Sequence, residues 1–101
     1  MFILIPVDGT DTKLSKITTL ANIKKWALVT FDDGIIRNIS FYDERTTIEA
    51  EWIDFVILEN KFENYLDFMN EGMMVLVRRK EESIEDIMEA FKFKELDEAG
   101  I

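Results

Sequence analysis

Residues 56–80, "VILENKFENYLDFMNEGMMVLVRRK", decide the fold. They open on an apolar run, pass through a stretch whose apolar residues recur at helical spacing, and close on a second apolar run. Phe62, Tyr65, Leu66 and Met69 stand at i, i+3, i+4 and i+7, which predicts an amphipathic helix. Asn60 is its expected N-cap, Glu63 the capping-box partner and Gly72 the C-terminal stop. A strand–helix–strand crossover requires two parallel strands with a right-handed connection. In open α/β sheets the corner after a strand's carboxyl end is the usual ligand site. Here that corner is Glu59-Asn60-Lys61, without glycine, histidine or cysteine.

Working outward, "WIDFVIL" (52–58) and "MMVLV" (73–77) read as strands covered on both faces. A second helix begins at Ser83, with Ile84, Ile87, Met88 and Phe91 on one face and Asp86 at N3. Upstream, "KWALVTFDDGIIRNISFY" (25–42) holds two period-2 runs, Trp26 to Phe31 and Ile35 to Tyr42, around Asp33-Gly34, the pair favoured in a type I′ hairpin turn. Phe2 to Val7 is a strand that stops at Asp8-Gly9. Between it and the hairpin, "TDTKLSKITTLANIKK" (10–25) reads as a long surface loop with one helical turn near Ile17 to Ala21, a length associated with function or mobility. "RTTIEAEW" (45–52) holds a short helix capped by Thr46 or Thr47. The expectation is one α/β domain over residues 1–101, a mixed five-stranded sheet with flanking helices.

Composition narrows the chemistry. The 101 residues can bury a core without disulfides or a structural metal. Twelve Lys and Arg against 21 Asp and Glu give a formal net charge of −9, which repels phosphate backbones and argues against a nucleic-acid partner. With neither Cys nor His, a Ser-His or Cys-His pair, a zinc finger and thiolate ligation of iron are all out of reach. Phe2 to Val7 is too short, and with Pro6 and no basic flank too unlike a signal peptide, to be a leader or a membrane span. The default expectation is a cytoplasmic protein without a membrane partner.

The opening "ILIPVD" (3–8), "SKI" (15–17) leading into the hairpin, and then "IDFVIL", helix, "MMVLV", helix, resemble the dinitrogenase iron-molybdenum cofactor biosynthesis family over nearly the whole chain. The resemblance implies a ribonuclease H-like topology and a role in carrying or accompanying iron–sulfur cluster precursors. Members typically show a Ser-x-x-x-x-His-Phe-Gly segment; counted from Ser15, its last three positions are Leu20, Ala21 and Asn22. A glycine-rich turn after the fourth strand is here Glu59-Asn60-Lys61. Both departures remove the imidazole ligand and the close backbone approach that a cluster would use.

The candidate site follows from the topology. Carboxyl ends of the first, fourth and fifth strands would open on one rim, gathering Asp8, Gly9, Asn60, Lys61, Arg78 and Ser83 near two helix N-termini that favour a small anion or a metal-cluster precursor. The competing reading makes Arg78-Arg79-Lys80 a solvated strand end. Asp8 and Glu59 also suggest a two-Mg²⁺ hydrolase by analogy of fold. Strand alternation and helix spacing explain most aromatic residues as core, whereas Phe68 and Phe93 fall off their helices' stripes and mark a protein interface. The function expected is a non-enzymatic binding or accessory protein, requiring no cofactor and no catalytic or metal-ligating residue. The alternative is an interaction module that forms a homodimer or hetero-complex.

Overall fold

In the computed structural model, which describes residues 1–99, Phe2–Val7 form strand β1 at the places where the sequence is apolar on both faces. Ile3, Leu4, Ile5 and Val7 are all without exposure, as a strand with neighbours on both sides requires. β2 (Lys25–Asp32) and β3 (Ile35–Tyr42) make the expected hairpin. Asp33 (φ 54°) and Gly34 (φ 74°) are both left-handed, the geometry of a type I′ turn. The register slips between Thr30 and Phe31, so Ile36, Ile39 and Phe41 all pack against the same core cluster.

β4 (Phe55–Leu58), helix α1 (Leu66–Asn70) and β5 (Met74–Val77) form the crossover, and β4 pairs in parallel with β1 and with β5. Helix α2 (Ile84–Lys92) follows, capped by Ser83, whose Oγ accepts from the Asp86 N–H at 3.1 Å. The chain then adds β6 (Asp97–Glu98), antiparallel to β5. The sheet is therefore six-stranded, in the order β3-β2-β1-β4-β5-β6, and the expected count of five is corrected. β6 escapes a pattern reading because it is two exposed acidic residues, bracketed by the buried Leu96 and Ala99, and neither length nor alternation marks it.

Two clusters fill the two faces. α2 lays Ile84, Ile87 and Met88 on Ile3, Ile5, Val7, Ala27 and Val29. On the other face Phe68, Met73 and Trp26 cover Leu4, Leu28 and Val56. Arg45, in a 3-10 turn over Arg45–Thr47, stacks its guanidinium 4.5 Å from the Phe68 ring centre and pairs with Glu71 at 2.9 Å.

Helix α1 departs most from expectation. Instead of starting after Asn60, it starts after Tyr65, because two asparagines hold the intervening backbone in turns. Asn60 Oδ1 accepts from the Phe62 N–H at 2.8 Å, and Asn64 Oδ1 from the Leu66 N–H at 3.4 Å. Most of the expected stripe consequently faces outward: Phe62 is 86% and Leu66 62% exposed, Tyr65 alone of the four packs partly on the core, and Phe68 is 4% exposed. Phe68 is thus a core residue, and its assignment to an interface is corrected; Phe93 is exposed as expected. Gly72, at φ 90°, ends the helix. Trp52 lies outside β4, its indole N–H donating to Asp54 at 3.1 Å, and is exposed.

The long loop is pinned to the body of the fold from Lys16 onward. Asp8 Oδ1 accepts from the Lys16 N–H at 2.9 Å, the Ile17 N–H reaches Glu82 O at 2.8 Å, and the Thr18 N–H reaches Pro6 O at 3.0 Å. Its 3-10 turn is Leu20–Asn22, slightly later than the turn expected from the sequence. No helix among the described residues is long and apolar enough to cross a membrane.

Candidate functional site

The carboxyl ends of β4 and β5 turn outward at Glu59 and Arg78, and these two residues join. The Arg78 Nη2 group meets Glu59 Oε1 at 2.9 Å, Nε donates to Glu59 O at 3.1 Å, and Nη1 donates to Glu81 O at 3.1 Å. Both side chains are about one-fifth exposed, so the pair is partly shielded from water. Arginine suits this corner because its planar fork ties two backbone carbonyls and a carboxylate at once, which a lysine cannot. Arg79 turns away to Asp97 at 3.0 Å, bracing β6 against β5.

Glu81 seals the same turn. Burial pushes its carboxyl up, but N–H groups of Glu81 itself, Arg79 and Lys80 outweigh that and hold it below the usual value. The Arg79 N–H lies 3.1 Å from Glu81 Oε1. The basic triplet thus behaves mainly as a structural strand end: two of its three cations are committed to named carboxylates.

Six residues expected on one rim fall into two groups. Asn60, Lys61 and Arg78 line one open concavity together with Glu59, Tyr65 and Asp97. Asp8, Gly9 and Ser83 belong to the other end of the rim, where the loop is stitched to β1 and to the start of α2 through Lys16, which bridges to Ser83. Asp8 spends its carboxylate on the Lys16 N–H, and Gly9 leaves room for Ser15, whose Oγ lies 3.3 Å from where a Cβ would be. Asn60 opens a turn instead of a helix, and α1 is only five residues long, so the helix N-terminus expected there is absent. α2 does begin at Ser83, but Glu85 and Asp86 occupy its first turn and offset the attraction of its N–H groups for an anion. Among the described residues no three acidic side chains converge as a metal-binding group.

A contact the sequence does not announce joins the two segments at which the resemblance places ligand chemistry. The Leu20 N–H donates to Glu63 Oε2 at 2.6 Å across 43 residues. Glu63 reads in the sequence as a capping-box partner of Asn60; in the fold it fastens the loop to the corner after β4. Position and charge were visible beforehand, but a long-range partner leaves no local signature.

No family model matches the chain. No curated protein matches it either. Its fold is nonetheless shared with solved structures. The crystal structure of a candidate dinitrogenase from Methanocaldococcus jannaschii superposes with a TM-score of 0.74 at 18% identity, covering 99% of this chain and 95% of that one. An NMR structure of the same protein gives 0.75 at 18% identity, covering 100% and 94%. A candidate NifB protein from Thermotoga gives 0.69 at 15% identity, covering 96% and 91%. At these identities the likeness establishes a common fold across the full length.

Proposed function

We propose that this chain is a non-enzymatic binding or accessory protein of the nitrogenase-cofactor kind, built on a ribonuclease H-like topology and holding no cluster by direct side-chain ligation. The observation that carries the reading is the end-to-end structural likeness to a candidate dinitrogenase and a candidate NifB protein, combined with a sequence that has neither His nor Cys. The sheet order β3-β2-β1-β4-β5-β6, with β1, β4 and β5 parallel, supports the topology. Within such a system an iron–sulfur species would be cargo, and carboxylates and amides suit hard cations better than sulfide-bridged iron. The accessory role therefore falls on surfaces rather than on ligands. The same features weigh against hydrolysis, since Asp8 and Glu59 are each engaged by other groups, Asp8 by an amide and Glu59 by a guanidinium.

Anaerobic incubation with a cluster precursor, followed by gel filtration and iron analysis, tests the reading. The expected outcome is protein eluting free of iron. Stoichiometric iron at the protein's elution volume would overturn the ligation argument and leave a cluster carrier in its place.

A further inference from the structure

At the opposite end of β4 and β5 from the rim, a concavity of about 570 Å³ opens between the sheet, the end of α2 and the hairpin tip. That volume lies within the range of roughly 300–1,000 Å³ that small-molecule sites occupy. Its floor is apolar, made by Phe31, Phe55, Phe91, Leu76 and Leu96. Phe91 stands edge-on to both other rings, with centroids 5.6 Å from Phe31 and 4.9 Å from Phe55. Phe55 and Phe91 remain partly exposed, so the aromatic floor is open to a ligand.

The mouth is basic in a protein whose net charge is −9. Lys92 and Lys94 both line it, and neither makes a salt bridge within 4.0 Å among the described residues. The Lys92 ammonium sits over the hairpin tip, 3.3 Å from where a Gly34 Cβ would stand. Lys94 has a φ of 58°, in the left-handed position just past a helix end where glycine is favoured. The Glu95 N–H closes that end onto Ala90 O at 2.9 Å. A residue with a Cβ is disfavoured there, so a lysine at this position has a cost, and that lysine lines the concavity. Among the described residues Glu98 is the one acidic side chain lining the concavity and opposes an anion; Asp32 nearby is engaged by the chain's own α-ammonium at 2.8 Å.

We infer that this concavity is a binding site for a small amphipathic carboxylate, its alkyl or aryl body on the Phe31–Phe55–Phe91 floor and its carboxylate between Lys92 and Lys94. The apolar floor supplies burial, and the two ammonium groups supply orientation. The inference stands apart from the accessory reading, because it uses other residues at the other end of the sheet.

Titration of the full chain with decanoate, and separately with decan-1-ol, followed by ¹H–¹⁵N spectra, tests it. Decanoate should saturate at roughly millimolar concentration or below. Its largest shifts should fall on residues 31, 55, 76 and 91–96. Decan-1-ol should bind about tenfold more weakly, since it lacks the charge. Lys94→Gly should weaken decanoate about tenfold, leave decan-1-ol unchanged and keep or raise Tm, because it relieves the left-handed lysine while removing its ammonium. The Lys92→Gln/Lys94→Gln double variant keeps a flexible polar side chain at both positions while removing both charges, and should behave likewise toward both ligands. Equal affinity for the acid and the alcohol, or variants that bind decanoate as the parent does, would overturn the site and leave an apolar contact for a protein side chain. Absence of saturable shifts at these residues overturns it outright.

Discussion

Arg78 is the residue on which expectation and structure differ most instructively. Its place at the carboxyl end of a central strand makes it a natural ligand for an anion, yet its guanidinium is consumed by Glu59 and by two backbone carbonyls. Removing it strands a carboxylate that is only 22% exposed. Arg78→Met should therefore cost about 2 kcal/mol, the scale of hydrogen bonds to a charged group. Arg78→Lys should recover only part of that, since an ammonium cannot span the same fork. Glu59→Gln in the Arg78→Met background should cost much less than in the parent, because the partner charge is already gone. Urea unfolding of the four proteins in that cycle reads the coupling directly. Strictly additive costs would mean that the pair is decorative and that Arg78 is free for a ligand after all.

At the scale of elements, the test is the phase of α1. With Phe68 inside and Leu66 outside, Phe68→Ala should destabilise by about 3–5 kcal/mol, whereas Leu66→Ala should fall within about 0.5 kcal/mol. The pattern read from sequence alone predicts the reverse, so chemical denaturation of the two variants separates the readings. What was legible explains why. β1, the hairpin, Ser83 as a cap and Gly72 as a stop were all readable because each is governed by neighbours within a few residues. The phase of α1 was not, because Asn60 and Asn64 support turns as readily as caps, and only tertiary packing on Trp26 and Arg45 selects Phe68 as the inward residue. β6 was hidden for a different reason. Its hydrogen bonds to β5 form without apolar alternation, and Arg79 to Asp97 is the side-chain contact that braces it. The rim fared similarly: its strand ends were identifiable from periodicity, but which side chains were already taken depended on partners beyond the local pattern, Lys16 for Asp8 at 8 residues, Asp97 for Arg79 at 18 and Glu59 for Arg78 at 19.

For the whole molecule the dominant electrostatic fact is the imbalance of 21 acidic against 12 basic side chains. Several ion pairs oppose the resulting self-repulsion, but nearly all lie at the surface. Lys16–Glu82, Arg37–Asp33 and Arg79–Asp97 have both partners more than half exposed, and Lys25–Asp43 leaves its aspartate 77% exposed. Such pairs contribute about 0–1 kcal/mol each and are screened together with the repulsion. Arg78–Glu59 is the better-shielded exception. Salt therefore acts on two opposed terms, and the larger is the repulsion summed over the carboxylates without an ion pair among the described residues, which include Glu49, Glu51, Glu85, Glu89 and Glu95. Raising ionic strength shortens the screening length from about 30 Å at 0.01 M to about 8 Å at 0.15 M, which relieves repulsion between carboxylates across the surface more than attraction between groups a few ångströms apart. Tm measured by circular dichroism at pH 7 should accordingly rise as sodium chloride is raised from 0.01 to 0.15 M. The rise should be smaller for a variant in which Glu85 and Glu89, on the outer face of α2, are both replaced by glutamine. A fall in Tm over the same range would show that the short ion pairs outweigh the net charge, and would move the main source of electrostatic stability from overall balance to those pairs.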